Sequence, residues 1–425
     1  MTGDTIFALS SGRPPAAVAI IRISGPAAHD AGLRLAASLP DARSVAVREL
    51  RHPASGELLD EALVLRFDAP ASSTGEDVVE LHCHGGRAVV EAVLGGLRSL
   101  GLREAEPGEF TRRAFENGRI DLTEAEGLAD LIEAETESQR KAALALAEGG
   151  LRAKVAEWQA QLLALSAEAE QAIDYDEDGE APEPHLQRDC AALADQLQEW
   201  LRRPRMERLR AGVRVVIAGP PNVGKSSLLN ILAGEERAIV TNVAGTTRDH
   251  IELPLALAGV PILLVDTAGL RDTEDTVEAI GVERAAKLVD TADVLLWLGE
   301  PHQVPGHPCA LLVHAKCDLE ERGPAPAGSL PLSAKTGEGI SELLARVEEI
   351  ARTLLPSDDH VALNARQATH IGDAADALAR AASASQLVLL AEDLRRARSA
   401  FDALTGRAGI EDVLDAIFSR FCLGK

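Results

Sequence analysis

The hydrophobic positions between residues 118 and 210 repeat with the period of a helix. Five apolar side chains there are spaced at i, i+4, i+7, i+11 and i+14, which lines one face of a long helix. They are Leu151, Val155, Trp158, Leu162 and Leu165. Upstream, Thr123 and Glu126 have the spacing of a capping box at a helix start. We expect these two helices to share one core.

The first 117 residues show a different pattern of short apolar runs that end at glycines. The run at 18–23 ends at Gly25, and the run at 77–81 leads into Gly85. Short runs bounded by glycine are typical of strands. The sequence predicts an α+β domain over residues 1–117.

From residue 211 to 355 the chain alternates β-branched runs with helical stretches. The runs are VRVVIAG, PILLVDTAG, ADVLLWLG and CALLVHAK. Such alternation is typical of a parallel sheet with crossover helices. Helical sequence lies on both sides, at 118–210 and 356–425. We therefore predict a multidomain protein in which an α/β domain is inserted into an all-α domain made of two segments.

Composition and charge narrow the class of protein. The 425 residues include 67 Asp and Glu against 43 Lys and Arg, a net charge of -24, which opposes non-specific adhesion to nucleic acid or anionic lipid. The five cysteines are scattered along the chain, which favours a reducing compartment over a disulfide framework. No leader-like start and no long apolar run is evident. We expect a cytoplasmic protein with no membrane and no DNA partner.

An acidic tract at 174–180 interrupts the helical pattern. Its three aspartates and Gly179 are spaced as in the first half of an EF-hand calcium loop. The twelfth position is His185 instead of the bidentate glutamate, and two prolines follow the tract. The sequence therefore favours a solvated connection over a calcium site.

Residues 219–226, GPPNVGKS, match the phosphate-binding motif G-x-x-x-x-G-K-S in full. A strand-like run precedes them and a helix-compatible run follows, so backbone N–H groups can face a phosphate. We expect Lys225 to neutralise the β- and γ-phosphates and Ser226 to offer its hydroxyl to Mg²⁺. The predicted nucleotide contacts in this motif are Asn222, Val223, Gly224, Lys225, Ser226 and Ser227.

Further motifs indicate a guanine nucleotide. They are Asp266-Thr267-Ala268-Gly269, Lys316-x-Asp318 and Ser333-Ala334-Lys335, which together resemble a translation-factor-type GTPase. Asp266 ends an apolar strand and can reach the metal through water, while the N–H of Gly269 can meet the γ-phosphate. The Asp318 carboxylate can accept from guanine N1–H and the 2-amino group, which adenine lacks. We therefore predict GTP and not ATP.

Two positions depart from that pattern. Ala315 stands where the base-binding motif usually has asparagine, and losing such a hydrogen bond costs about 1 kcal/mol or more. We expect weaker nucleotide affinity with the base preference retained. Leu270 follows Gly269 and cannot orient a water molecule as glutamine does. Glu278 is the nearest candidate for that role, and a solvated loop carboxylate is the alternative.

Eight blocks of the chain point to one known family. They are DTIFALSSG, IIRISG, TGEDVVELHCHGG, PGEFTRRAFENGRIDLTEAE, GPPNVGKSSLLN, AGTTRDHIE, DTAGLRD and the terminal FCLGK. In content and order these blocks resemble the MnmE (TrmE) family of bacterial tRNA-modifying GTPases, over nearly the whole chain. The resemblance implies an N-terminal dimerising domain similar to folate-binding aminomethyltransferases, a helical domain in two segments and an inserted GTPase (G) domain.

The resemblance also implies an activity and partners. The family adds an aminomethyl or carboxymethylaminomethyl group to C5 of the wobble uridine, position 34, of certain tRNAs. It acts with an FAD-containing partner, MnmG, and takes a one-carbon unit from 5,10-methylene- or 5-formyl-tetrahydrofolate. We expect a homodimer that joins an MnmG-like partner in a heterotetramer.

By the same resemblance, a loop after the phosphate motif holds K⁺ against the phosphates. A cation there can spread transition-state charge as an arginine finger does. The predicted K⁺ ligands are Asn222, Thr241, Val243 and Thr246, and the predicted Mg²⁺ ligands are Ser226 and Thr247. The loop's nucleotide contacts are Thr241, Asn242, Val243, Ala244, Gly245, Thr246 and Thr247. Glu278 falls at the family's water-orienting position and is therefore a predicted catalytic residue.

For folate the resemblance points to Arg22, Glu80, Arg119 and Lys425. A carboxylate can pair with pterin N–H groups, and cations can meet the carboxylates of the glutamyl tail. A strand-to-strand ion pair between Arg22 and Glu80 is the alternative. Arg119 stands where the family commonly has lysine, and the loop at 12–17 holds fewer glycines than is usual there.

The neighbouring His82-Cys83-His84 resembles a metal-binding cluster in composition. On a strand, His82 and His84 share one face and Cys83 points to the other, so the three cannot converge on one zinc ion without a bend. We expect the histidines to pack or to contact a ligand.

Cys422 in the terminal FCLGK is the second predicted catalytic residue. A thiolate that adds to C6 of a pyrimidine makes C5 nucleophilic toward a one-carbon electrophile. A role in binding alone, or a structural cysteine, are the alternatives.

Two arginine clusters offer candidate tRNA contacts despite the acidic net charge. They are Arg202, Arg203, Arg205, Arg208 and Arg210, and Arg395, Arg396 and Arg398. Such clusters can bind phosphates or pair with acids on helix faces. Two rival functions remain: a ribosome-assembly GTPase without one-carbon chemistry, and a folate-sensing scaffold with a nearly idle nucleotide site.

Overall fold

The computed structural model describes residues 3–175, 182–234, 238–240, 251–267, 286–356, 361–407, 411–421 and 424. The chain forms two compact units, Met1–Ala129 with Phe401–Lys425, and Asp130–Ala400. Each unit has its own hydrophobic core.

The described residues form the following strands and helices, numbered in chain order. The strands are β1 (Ile6–Leu9), β2 (Val18–Ser24), β3 (Val45–Arg51), β4 (Leu58–Phe67), β5 (Val78–His84), β6 (Arg103–Glu104), β7 (Val213–Ala218), β8 (Ala238–Val240), β9 (Ile251–Leu257), β10 (Val260–Asp266), β11 (Val294–Trp297), β12 (Ala310–Ala315) and β13 (Leu330–Leu332). The helices are α1 (Ala28–Ala36), α2 (Arg87–Ser99), α3 (Glu109–Glu116), α4 (Leu122–Glu133), α5 (Glu137–Ala147), α6 (Gly150–Tyr175), α7 (Pro184–Leu201), α8 (Met206–Ala211), α9 (Lys225–Gly234), α10 (Ile340–Leu354), α11 (Ala365–Ala382), α12 (Leu387–Thr405) and α13 (Glu411–Phe418).

The first unit is built on a mixed sheet with the strand order β3-β4-β5-β2-β1-β6 among the described residues. In β2, Ile21 and Ile23 are buried, while Arg22 between them faces the opposite side, as the two-residue period of a strand requires. Buried side chains of α1 and α2, such as Leu35 and Leu97, complete that core. The other face of β2 is left to carry polar groups.

The C-terminal helix α13 belongs to this unit and packs beside α3. Phe418 lies 6.1 Å from the ring of Phe115 and 6.3 Å from that of Phe421. Gly108, with a φ of 73°, precedes α3, and a Cβ atom there would overlap the carbonyl oxygen of Phe418. Glycine therefore lets the two segments approach closely.

The start of α4 differs from the sequence prediction. The capping box is formed by Asp121 and Glu124: the N–H of Glu124 donates to Asp121 Oδ1 at 2.9 Å, and the N–H of Asp121 donates to Glu124 Oε2 at 2.7 Å. Thr123 lies inside the helix and donates its hydroxyl to Asp121. Aspartate caps a helix at least as well as threonine, so the cap lies two residues earlier than predicted.

The predicted helical face in the second unit is confirmed. Trp158 in α6 is fully buried, and its ring meets that of Trp200 in α7 edge to face, with centroids 5.2 Å apart. Such aromatic pairs add stability beyond the buried area. Helix α11 packs along α7. Among the described residues, no helix is both long and apolar enough to cross a bilayer.

The second unit also contains a sheet, with the order β13-β12-β11-β7-β10-β9-β8 among its described strands. The predicted parallel pairing holds for β13, β12, β11, β7 and β10. Strand β9 instead runs antiparallel to β10. Ala258 and Gly259 join them with positive φ of 49° and 81°, and a connection of two residues can join only antiparallel strands.

These elements confirm the predicted fold class of α+β, helical and α/β parts. The domain boundaries at 117, 210 and 355 stay a prediction. The acidic tract at 174–180 begins within the last turn of α6, and its residues 176–180, with most of the possible calcium loop, lie outside the described residues.

A buried charge network ties the N-terminus to α3. Arg113 has a side chain only 7% exposed and pairs with Asp4 at 2.8 Å, Glu109 at 3.0 Å and Glu76 at 3.2 Å. Arg103 pairs with Asp4 and Glu109 from the other side. Two guanidinium groups thus pair with three carboxylates.

Replacing Arg113 with methionine is expected to destabilise α3 by about 3–5 kcal/mol, because the buried cation is removed, Glu76 loses its guanidinium partner, and Asp4 and Glu109 keep only Arg103. Hydrogen exchange of residues 109–116 measures this free energy of local opening. Arg112→Met is the matched control: its side chain is 36% exposed and pairs with Glu116 and Asp415 on the surface, so a loss below about 1 kcal/mol is expected. Equal losses in both variants would contradict this account.

The same network makes the stability depend on pH. Burial by itself raises the pKa of Glu109. Hydrogen bonds from Arg103, Arg113 and a backbone N–H lower it by more, so that its pKa lies below the usual 4.5. Burial likewise raises the pKa of Asp4, and the two arginines lower it by more, so that it also lies below its usual value of 3.8. A lowered pKa stabilises the fold above the unfolded value, and the gain is lost as pH falls through the folded value. The hydrogen-exchange protection of α3 should therefore decrease as the pH is lowered from 4.5. The decrease should be less steep in Arg113→Met.

Candidate functional site

The phosphate motif forms the turn between β7 and α9. Gly219, Asn222 and Gly224 have positive φ of 149°, 59° and 113°, which glycine and asparagine adopt most readily. Lys225 Nζ donates to the carbonyl oxygens of Gly219 and Pro220 at 2.9 and 2.8 Å. The ammonium group therefore lies against the turn, at the N-terminus of α9, where helix geometry favours an anion.

Asp266 lies beside this turn because β10 is the parallel neighbour of β7. Its carboxylate is buried and accepts a hydrogen bond from Ser226 Oγ at 2.9 Å. Adjacent oxygens around Mg²⁺, with bonds of about 2.1 Å, are about 3.0 Å apart in an octahedron. The hydroxyl and carboxylate therefore fit a Mg²⁺ ion, bound directly or through water. Thr267 follows and donates to the carbonyl oxygen of Ile217 at 3.0 Å, which holds the two strand ends together.

The base-binding motifs meet at the same edge of the sheet. Ser333 is buried, and its hydroxyl donates to Asp318 Oδ1 at 2.7 Å and accepts from the N–H of Lys335 at 3.2 Å. Lys316 Nζ donates to the carbonyl oxygen of Asn222 at 2.8 Å. The structure therefore brings together the predicted base and phosphate motifs. Ala334, the third predicted residue of its motif, lies between Ser333 and Lys335 in the chain.

Ala315 is buried at the end of β12. Its side chain is 4% exposed, and its carbonyl oxygen accepts from Arg322 Nε at 3.2 Å. The methyl group of Ala315 cannot form a hydrogen bond with the phosphate turn. Among the described side chains of this motif, Lys316 forms such a bond, to the carbonyl oxygen of Asn222. The local link that an asparagine amide supplies is therefore lacking.

Arg22 and Glu80 face each other across β2 and β5. Arg22 Nε donates to Glu80 Oε1 at 2.8 Å, so the ion pair that was the simpler alternative does form. His82 Nε2 lies 3.3 Å from Glu80 Oε2, and the guanidinium carbon of Arg22 lies 5.6 Å from the ring centre of Phe110. Phe110 was missed by the sequence predictions, although it lies in the block PGEFTRRAF. A carboxylate, a cation and an aromatic ring at one place fit a planar heterocycle with N–H groups.

Arg119 is exposed and packs its side chain over Gly75, where an added Cβ would lie 3.1 Å from Arg119 Cγ. Within the described part of the chain, no hydrogen bond or ion pair joins it to Arg22 or Glu80. The structure therefore brings two of the four predicted folate residues together.

The histidines around Cys83 have separate carboxylate partners. His84 Nδ1 lies 2.8 Å from Asp60, whereas His82 contacts Glu80. Cys83 is buried on the opposite face, and burial, with the Asp60 charge, raises the pKa of its thiol to about 12. Among the described residues, the two histidines therefore contact carboxylates and the thiol is buried; the expectation that they pack or contact a ligand stays a prediction.

Phe421 and Gly424 show where the chain end lies. Phe421 is buried with the aromatic cluster. Gly424 has a φ of 92° and packs so closely that a Cβ there would overlap the carbonyl oxygen of Leu9. Leu9 ends β1, and the preceding Ala8 pairs with Arg22. The end of the chain is therefore held against the sheet that carries Arg22.

Most members of the two arginine clusters have partners. Arg210 pairs with the buried Asp130 at 2.6 Å, and Arg203 stacks over Trp200 at 4.2 Å. Arg395 and Arg396 pair with acids within one helical turn. Such pairs on helix faces support the simpler of the two interpretations.

Several predicted residues lie outside the described ones. They are Thr241, Asn242, Val243, Ala244, Gly245, Thr246, Thr247, Ala268, Gly269, Leu270, Glu278, Cys422 and Lys425.

Comparison with known proteins agrees over the whole chain. Residues 122–422 match the family described as MnmE helical domain, and residues 5–119 match that described as GTP-binding protein TrmE N-terminus. The G domain of the T. maritima FeoB iron transporter is 25% identical, covers 33% of this chain and 98% of that chain, and has a TM-score of 0.24; a similarity of this size carries no further argument.

Two curated relatives span the full length. A tRNA modification GTPase MnmE from Erythrobacter litoralis is 53% identical over 426 residues, which cover 99% of this chain and 100% of that protein. One from Zymomonas mobilis is 49% identical over 432 residues, with coverage of 99% and 100%. The chain therefore belongs to the MnmE family of tRNA modification GTPases.

Proposed function

We propose that the protein is a GTP hydrolase that acts in tRNA modification. The observation that carries the proposal is the meeting of the phosphate turn, Asp266 and Asp318 at one edge of the sheet, joined by the contacts from Ser226 to Asp266 and from Lys316 to Asn222. A P-loop, an acid at the end of the neighbouring strand and a base-reading acid are the parts that GTP hydrolysis requires. Family membership adds tRNA as the substrate.

The residues of the nucleotide site bind different parts of GTP. Lys225 pairs with the β- and γ-phosphates, and Ser226 with Thr247 holds Mg²⁺, which neutralises charge on the phosphate oxygens. Asp318 accepts from the guanine edge, and Ser333 keeps its carboxylate in place through the 2.7 Å hydrogen bond. Val223, Ser227, Thr267 and Lys335 complete the contacts.

The hydrolytic step needs an oriented water, and we assign this to Glu278. Potassium is assigned to Asn222, Thr241, Val243 and Thr246, where its charge stabilises the transition state. The support is that Asn222, in the phosphate turn, has an exposed side chain, so its amide oxygen is accessible to a cation.

The one-carbon chemistry is assigned to the first unit. Arg22, Glu80, Arg119 and Lys425 bind the tetrahydrofolate derivative, and Cys422 acts on the wobble uridine. The support is the position of Gly424 against Leu9, because β1 pairs with the strand that bears Arg22. Among the described cysteines, burial raises the pKa of Cys83 to about 12 and that of Cys190 to about 11, which makes these thiols poor nucleophiles at neutral pH.

The assembly follows the same assignment. We propose a cytoplasmic homodimer that works with an MnmG-like FAD-containing partner on C5 of uridine 34. The domains proposed are residues 1–117 for dimerisation and folate, 118–210 and 356–425 for the helical domain, and 211–355 for the G domain.

Replacing Na⁺ by K⁺ at constant ionic strength should raise kcat for GTP hydrolysis by more than about tenfold, because a cation at the phosphates stabilises transition-state charge. Asn222→Gly keeps the positive φ but removes the amide, so it should abolish the difference between the salts while GTP still binds. Lys225→Ala should hydrolyse poorly in both. Equal rates of the wild-type protein in K⁺ and Na⁺ would refute the potassium assignment.

Ala315→Asn restores the amide that the base-binding motif lacks. We expect its Kd for GDP to fall about fivefold, the equivalent of about 1 kcal/mol for one hydrogen bond. Fluorescent GDP titration measures this, and competition with ATP checks that the base preference persists. A Kd unchanged from the wild type would show that Ala315 does not limit affinity.

The main test follows tRNA nucleosides by mass spectrometry in cells that lack this protein. Wild type should restore the modified wobble uridine, and Cys422→Ser should not. Gly108→Ala should restore it poorly, because its Cβ would displace Phe418 at the base of the terminal segment.

Gly118→Ala is the matched control for Gly108→Ala. Its φ is 67° against 73°, but its added Cβ would meet no atom within 4 Å. Backbone strain is therefore equal, and only the contact with Phe418 differs. Wobble uridines that stay normal in the deletion would refute the proposed function, and equal restoration by both glycine variants would refute the role of the docked chain end.

A further inference from the structure

The hairpin of β9 and β10 connects the phosphate site with a distant helix. Seven consecutive residue pairs join its strands, from Val260 with Leu257 to Asp266 with Ile251. At about 3.4 Å per residue, seven residues span about 20 Å. This ladder of backbone hydrogen bonds runs without a register shift from Asp266 to the turn, Ala258-Gly259, so it can carry a displacement of Asp266 to that turn.

Two helices hold the carbonyl groups of that turn. The N–H of Ser138, in the first turn of α5, donates to the carbonyl oxygen of Gly259 at 3.1 Å. Arg352 in α10 donates to the carbonyl oxygen of Ala258 at 3.1 Å. Gly259 also lies so close to Glu137 that a Cβ would be 3.2 Å from Glu137 Cβ. A displacement of the turn would therefore change these contacts.

Helix α5 also holds the other strand of the phosphate site. Gln139 Nε2 donates to the carbonyl oxygen of Leu209 at 3.0 Å, at the end of α8 and just before β7. The Gln139 side chain is itself fixed by the capping box with Thr136. The start of α5 thus contacts both α8, which precedes β7 and the phosphate turn, and the turn that precedes β10 and Asp266.

Strand β10 pairs with β7 over five residues, up to Asp266 with Ile217, so the hairpin cannot slide along β7 without breaking that ladder. The Ser226–Asp266 contact lies at one end and the α5 contact at the other.

We propose that the β9–β10 hairpin is a lever that transmits the nucleotide state from Asp266 to α5, with Gly259 and Arg352 as positioning residues. The inference rests on the proposed GTPase function. Coupling between two sites is reciprocal, so a change at the α5 end must alter how well the phosphate site distinguishes GTP from GDP.

Two matched pairs of variants test the lever. Arg352→Gln removes a contact to the turn. Arg346→Gln is its control, because both side chains are half exposed and pair with a glutamate four residues earlier, but Arg346 does not bond to the turn.

Gly259→Ala brings a Cβ atom close to Glu137. Gly328→Ala is its control: the φ of Gly328 is 82° against 81° for Gly259, and no atom lies within 4 Å of the added Cβ.

The ratio of the Kd values for a non-hydrolysable GTP analogue and GDP should change by about fivefold or more in either test variant relative to its own control, as a coupling of about 1 kcal/mol or more implies. Hydrogen exchange of residues 137–147 should differ between the two nucleotides in the wild-type protein, and less so in Gly259→Ala.

Ratios that match the controls in both test variants, or identical exchange of residues 137–147 with both nucleotides, would overturn the lever. A wild-type protein that binds neither nucleotide would instead count against the proposed function. Arg352 is exposed at the surface, so Arg352→Gln keeps the fold and leaves the test decisive if Gly259→Ala fails to fold.

Discussion

The hydrogen bond between Ser226 and Asp266 is the contact around which the nucleotide site is arranged. It joins the ends of β7 and β10, which are parallel neighbours. Since parallel strands present their carboxyl ends at one edge of a sheet, the loops after β12 and β13 reach the same edge. Asp318, the predicted base-reading residue, and the phosphate turn therefore share one surface although about 100 residues separate them, as is common for sites on parallel sheets.

Close backbone approach has a comparable role in the other unit. Gly108 and Gly424 occupy places where any side chain would overlap a carbonyl oxygen, of Phe418 and Leu9 respectively. These contacts, with the buried rings of Phe418 and Phe421, hold the end of the chain on the N-terminal sheet. A terminal segment is ordinarily poorly ordered unless it is tied down in this way. The apolar residues of the terminal segment thus have a packing role.

The charges of this acidic protein are also used locally. Arg113 and Arg103 hold three carboxylates around the N-terminus, and Arg210 compensates the buried Asp130. Several of the arginines that resemble a tRNA-binding patch in the sequence are thus engaged within the protein. A cluster in sequence is a cluster of free charge only where the fold leaves its members without acidic neighbours.

By itself, the sequence determined the features that depend on neighbouring residues. The helical face of Trp158, the phosphate turn and the base motif were all predicted, because spacing along a strand or helix dictates which side chains share a face. The tertiary structure alone decided the rest. The antiparallel course of β9, the ring of Phe110 beside Arg22 and the docking of Gly424 on Leu9 depend on residues far apart in the chain. No local period encodes such contacts, because they form only when the packing of separate elements brings the residues together.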